Sequence, residues 1–194
     1  LPATSLVRLA FREPAARALF AGMAAHSMLR LGQPMSASFG LVLGLLAHAV
    51  GWPLARGGSG AIAAALEAEA RSLGVEFVTG HRVDAIAHLP PARAYLLDVT
   101  PRQVLAMASD RLPAGYRRQL EGFRYGPGVF KIDWALDGPI PWKDPATARA
   151  GTVHIGGSYR EVAASEDAVG RGRHADKPYV LLVQPTIADP SRAP

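Results

Sequence analysis

The strongest constraint on this chain is a knot of glycines set directly before a helix-forming run. Residues 51–66 read GWPLARGGSGAIAAAL, and residues 74–86 read GVEFVTGHRVDAI. Gly57-Gly58-Ser59-Gly60 demands a tight turn, and the alanine-rich stretch after it predicts a helix over 60–73 closed by Gly74. Val75–Thr79 and Arg82–Ala87 then read as a hairpin around Gly80-His81. Glycines before a helix leave free N–H groups able to approach an anion. The spacing is not G-x-G-x-x-G, however, and no acidic residue closes a second strand about 20 residues later. Nor does a Lys-Ser or Lys-Thr pair follow, so this is no Walker A loop. On spacing alone the glycines read as a turn that lets helix and strand pack closely.

The rest of the chain alternates helices and short strands. Pro14 opens a helix predicted over 14–31, on which Leu19, Phe20, Met23 and Met28 share a face. Gly32-Gln33-Pro34 breaks it, and a second helix fits 36–49 with Ser36 or Ser38 as cap. Both are apolar nearly all round, which suits burial in a larger body or the wall of an apolar cavity. Ala94–Val99 reads as a strand covered on both faces. Thr100-Pro101-Arg102-Gln103 has the form of a capping box leading into a helix over 101–109, with another at 113–121. Val129–Leu136, VFKIDWAL, alternates as a half-buried strand does. Thr152–Ile155 and Tyr179–Gln184 are further strands, separated by a helix at 160–170.

Composition narrows the function classes. Of 194 residues, 49% are apolar and 19% charged, enough for a core and too apolar for disorder throughout. There is no cysteine, which removes disulfides, thiolate nucleophiles and cysteine-bound metals, and is compatible with a cytoplasmic setting. The net charge is +5, but the arginines stand singly and no aromatic–basic interleaving marks a nucleic-acid surface. Nucleic acid is therefore not expected as a partner. The longest apolar run, Phe39–Val50, is too short to span a bilayer. Residues 1–20 carry no signal-peptide pattern, and the chain opens in mid-element without an initiator methionine, as an internal piece of a longer protein would.

The order glycine turn, helix, Val83-x-x-Ile86 and AYLLDVTP resembles the interior of FAD-dependent oxidoreductases of the phytoene dehydrogenase and amine oxidase kind. The resemblance covers about 120–150 residues by the order of elements, and HLPPAR at 88–93 is shorter than the hairpin of many relatives. It implies an α/β (α+β) fragment of a two-domain flavoenzyme, lacking the N-terminal dinucleotide-binding unit. Residues 1–52 would be a helical part of the substrate domain, 53–110 a returning segment of the FAD domain, and 111–194 a sheet-rich part of the substrate domain. Val83 would offer its backbone to the adenine edge, Thr100 would lie near the adenosine, and Gly57 and Gly58 would shape the return to the cofactor. The parent would transfer hydride from an apolar small molecule to FAD, and this chain alone would be inactive. Peripheral contact with a membrane suits such a substrate. The same architecture also allows a non-catalytic lipid- or isoprenoid-binding module, or an isomerase using reduced flavin. Substrate identity and oligomeric state stay open.

Other side chains have plainer readings beside functional ones. His26 and His48 lie on apolar helices, where a general base and a buried structural histidine are both open. His154 in TVHIGG is a candidate for the substrate side, while His81 and His88 fall in turns. No H-x-x-x-H or H-E-x-x-H spacing supports a metal. Ser59 lies in G-G-S-G-A, near the pattern of a hydrolase nucleophile elbow but without its second glycine, and a helix cap explains it. Lys131 and Asp133 read as the solvated face of a strand.

Overall fold

The computed structural model describes residues 1–192. The fold is α+β and dominated by helices, with one small antiparallel sheet. Two compact units divide it: Leu1–Glu69 with the described residues from Pro127 on, and Ala70–Gly126.

The first unit is built on four helices, α1 (Ala3–Ala10), α2 (Pro14–Ala25), α3 (Ser36–Ala49) and α8 (Tyr159–Gly170). Its core joins Ala3 and Val7 of α1, Phe20, Ala21, Ala24 and Ala25 of α2, Leu31, Ala37 of α3 and Val162 of α8. These positions recur at helical spacing, and the alanines bring the helix axes close. Proline at the first helical position starts α2. The helix ends at Ala25 rather than continuing to 31, because Met28 and Met35 both take left-handed backbone and fold the chain back before α3. Ser36 is the first residue of α3 and not its cap. Fully buried, its hydroxyl accepts from the Ala3 N–H at 2.9 Å and is shared between the Leu31 and Gln33 carbonyls, at 3.1 and 2.8 Å. One side chain thereby ties the start of α1 to the start of α3.

The sheet pairs β1 (Thr152–Ile155) with β2 (Val180–Val183), Thr152 opposite Val183 and His154 opposite Leu181. Ser158 and Glu161 form a capping box that starts α8. Short helices α7 (Pro145–Ala148) and α9 (Pro185–Ala188) flank the sheet in sequence, and α4 (Gly60–Ser72) follows the glycine turn. Buried Gln184 accepts from the Trp142 indole at 3.0 Å and donates to the Ala150 carbonyl at 2.7 Å, fixing the chain at the end of β2.

The second unit holds α5 (Pro101–Ala108) and α6 (Ala114–Glu121), packed on each other. Gln103 reaches back to the Thr100 N–H and hydroxyl, both at 2.9 Å, as the capping-box pattern requires.

Four expected strands do not form: Val75–Thr79, Ala94–Val99 and Val129–Leu136 are irregular, and Arg82–Ala87 runs from irregular chain into a 3-10 turn at Ile86–His88. Alternation shows what a segment would bury, but a strand needs a neighbour for its N–H and C=O groups. Among the described residues these segments have none. Their apolar side chains are correspondingly open, with Leu96 at 92%, Phe130 at 89% and Trp134 at 76% exposure. The C-terminal part is therefore less sheet-rich than its sequence implies. Helices α2 and α3 pack directly on each other, Phe20 against Gly40, while Leu41, Val42 and Leu45 stay exposed.

Candidate functional site

Gly57 and Gly58 form the predicted turn ahead of α4, both with left-handed backbone (φ 79° and 87°) that glycine alone adopts freely. Their surroundings were not foreseen. The Gly57 N–H donates to the Asp189 carboxylate at 2.8 Å, and the Arg192 guanidinium lies against Gly58. The Ser191 hydroxyl and then the Gly57 amide hold the Asp189 carboxyl below the usual carboxylate range. The turn thus carries a carboxylate of its own chain where an anion would approach.

Val83 and Thr100 belong to the second unit. Val83 is half-buried in an irregular segment, and its backbone makes no hydrogen bond among the described residues. Thr100 caps α5 beside Tyr125, whose phenolic oxygen accepts from the Arg102 N–H at 3.1 Å. The Thr100 hydroxyl and that amide lower the Tyr125 phenol from its ordinary value, and the Arg102 guanidinium stands 5.5 Å above its ring. The two glycines share one turn, and Val83 and Thr100 lie in one unit with no backbone hydrogen bond between them among the described residues.

The most developed side-chain cluster lies in the first unit, around His26 and His154. His26 ends α2 and His154 lies on β1, yet their Nε2 atoms are 3.1 Å apart and their rings tilt at 48°. That contact holds one proton, with one ring donating and the other accepting. The His154 ring also lies edge-on to Tyr179, whose hydroxyl donates to the Gly22 carbonyl at 2.9 Å. Gly22 is what admits this packing. A Cβ there would sit 2.8 Å from His154 Nδ1 and 3.5 Å from the Tyr179 oxygen. The Tyr179 N–H donates to buried Ser165 of α8, and Glu166 beside it is only 9% exposed.

Burial sets the protonation of this cluster. His154 is shifted below its ordinary value, first by desolvation and then by the neighbouring His26. Desolvation raises the Glu166 carboxyl. It also raises the Tyr179 phenol, with the Glu166 charge adding to the effect. At neutral pH the site therefore presents a neutral imidazole on β1, bonded to a solvent-exposed imidazole on α2. Such a pair can take a proton and pass it outward.

The remaining candidates stand apart. His48, His81 and His88 are exposed and lie outside this cluster. The Ser59 hydroxyl bonds to no histidine or carboxylate among the described residues. Lys131 and Asp133 pair with each other at 2.7 Å in solvent. A surface cavity of about 660 Å³ borders α8 and is lined by charged side chains, Glu161, Asp167, Arg173, Asp176 and Lys177 among them, together with Ala164, Ala168 and Ala175. Among the described residues, no group of three or more His, Asp or Glu side chains is placed to hold a metal ion. No helix among them is long and apolar enough to cross a membrane.

Sequence reasoning named His26 and His154 but not their partnership, and it missed Tyr179, Glu166, Asp189 and Arg192. Glu166 carried one signal: it stands four residues after Val162, on the buried face of α8. Comparison with known proteins finds no matching family model, no similar curated protein and no similar solved structure.

Proposed function

We propose that the chain is the substrate-side and partial FAD-side portion of a flavin-dependent oxidoreductase of phytoene dehydrogenase type, acting on an apolar small molecule. The observation that carries this reading is the order of elements: a glycine turn with left-handed backbone, then α4, then Val83 with its backbone unpaired among the described residues, then Thr100 at the head of α5. FAD, when bound, supplies a hydride acceptor. Val83 would hold the adenine edge through its free N–H and C=O, with Thr100 on the adenosine side. Gly57 and Gly58 do not fit a phosphate-gripping role, since the Gly57 N–H already serves Asp189. They form the tight turn that leads into α4 instead. His154 is the group best suited to hold a proton lost from the substrate, being neutral and half-buried, with His26 leading to solvent.

The test is the visible absorption spectrum of the full-length protein, purified without added cofactor. Flavin bands, released as FAD on denaturation, would support the reading. A colourless protein that ignores added FAD would refute it and favour a lipid- or isoprenoid-binding module on the same architecture.

A further inference from the structure

The His26–His154 contact has a property independent of any flavin chemistry. We propose that it is a pH-operated clasp, closing the end of α2 onto β1 with one shared proton and opening when both rings are charged. At an Nε2–Nε2 separation of 3.1 Å, one proton makes a hydrogen bond and two make adjacent cations with no acceptor between them. The contact spans 128 positions of sequence and joins the C-terminal end of one core helix to the sheet. It is also the outermost of the ties at that junction: Tyr179 to the Gly22 carbonyl lies one helical turn earlier on α2, and Ser165 to Tyr179 lies behind it. Loss of the outer tie leaves the inner ones in place, so the event is local opening and not unfolding.

The other ionisable groups around the pair do not supply a counter-charge to hold it shut. From α8 come Glu166, desolvated and acting on Tyr179, and Asp167, already bonded to Arg30 and Arg171 at 2.7 Å each. From the segment before β2 comes Tyr179, whose hydroxyl is committed to Gly22. From α1 comes Arg8, which interacts with Tyr159. On α3 the ionisable side chain is His48, exposed near the far end. The dipole at the end of α2 favours a cation, and it acts on the exposed ring of His26.

The experiment is amide hydrogen exchange of residues 152–155 and 22–26 between pH 7.5 and 5, with wild type and variants compared at each pH so that intrinsic exchange cancels. The ring nitrogens are followed in parallel by NMR. Because a glutamine amide can still bond the His154 ring but cannot take a charge, wild type should match His26→Gln at pH 7.5, then lose about tenfold in protection relative to it at pH 5, the equivalent of one pKa unit of coupling. In His26→Gln the His154 ring should titrate higher than in wild type, its charged neighbour gone. Glu166→Gln should still open. If wild type and His26→Gln keep equal protection throughout, or if both rings titrate independently in the wild type, the clasp does not exist. Opening that persists in His26→Gln and vanishes in Glu166→Gln would overturn it equally, by assigning the switch to the carboxyl.

Discussion

Helix α3 contains its own controlled experiment, since Gly40 and Gly44 lie one turn apart on it with opposite surroundings. A methyl group on Gly40 would sit 2.8 Å from Phe20 Cζ and 3.1 and 3.2 Å from Cε2 and Cε1. These atoms are the rigid tip of a ring that is 4% exposed and stacked at 5.5 Å on Phe11, so it has no free direction of retreat. Restoring ordinary contact requires a shift of roughly 0.7 Å between two packed helices. Overpacking of that kind costs about 1–3 kcal/mol, against which the better helix propensity of alanine returns at most about 1 kcal/mol. Gly40→Ala should therefore lose about 1–2 kcal/mol. At Gly44 the same methyl meets only Met23, at 3.7 and 3.9 Å, in ordinary contact with a flexible thioether. Gly44→Ala should gain about 0.5–1 kcal/mol.

Urea unfolding followed by far-ultraviolet circular dichroism separates the two. In a chain of this size each kcal/mol moves the thermal midpoint by about 2–4 °C, so melting curves resolve the difference too. Phe20→Leu shortens the ring tip and should rescue part of the Gly40→Ala loss, leaving the double variant more stable than the sum of the single changes predicts. A Gly40→Ala protein as stable as the wild type, or a Gly44→Ala protein equally damaged, would refute the packing described for α2 and α3.

Three further outcomes are expected. Ser158→Ala removes the cap of α8, whose N–H acceptor is in solvent, and should lower stability by about 1 kcal/mol in the same urea assay, with Thr at that position restoring most of it. Stability should fall on acidification from pH 7.5: the unfolded His154 takes a proton near 6.5 while the folded one, shifted lower, resists until its own value is passed. Glu166 works in the opposite sense, its raised carboxyl giving stability below 4.5 that is lost as pH rises through its folded value, so Glu166→Gln should steepen the acid loss. Finally, if the chain is the flavoenzyme portion proposed above, its 194 residues should retain no FAD through gel filtration, because they carry no G-x-G-x-x-G phosphate loop; a yellow preparation would contradict that.

The helices were legible because their signals are local. Pro14, the Thr100–Gln103 and Ser158–Glu161 boxes, and the glycines before α4 each fix an end by chemistry within four residues. The fold-back at Met28 and Met35 was not legible, because methionine has no local preference for left-handed backbone; it accompanies a tertiary bond in which the Ala3 N–H donates to Ser36. Strands divided along the same line. Thr152–Ile155 and Val180–Val183 find each other across α8 and form a sheet, while VFKIDWAL has equal alternation and no partner among the described residues.

The candidate site shows why function is harder to read than helices. His26 and His154 each look like a solitary histidine on an apolar element, and no spacing rule connects positions 128 apart. What connects them is an omission: Gly22 lacks the side chain that would hold the β1 ring away from α2. In a single sequence that glycine reads as a weak point in a helix, since glycine there costs about 1 kcal/mol relative to alanine. The structure turns the reading round. A destabilising residue in a core helix is tolerated where something must come close, and here it is an imidazole with a proton to share. Gly22→Ala then becomes the most discriminating single change at the site. It should improve the isolated helix yet push His154 and Tyr179 outward, and the His26–His154 coupling seen by ring-nitrogen NMR should weaken even if overall stability is unchanged. Undiminished coupling in that variant would mean that the pair is held from the surface and not from the core.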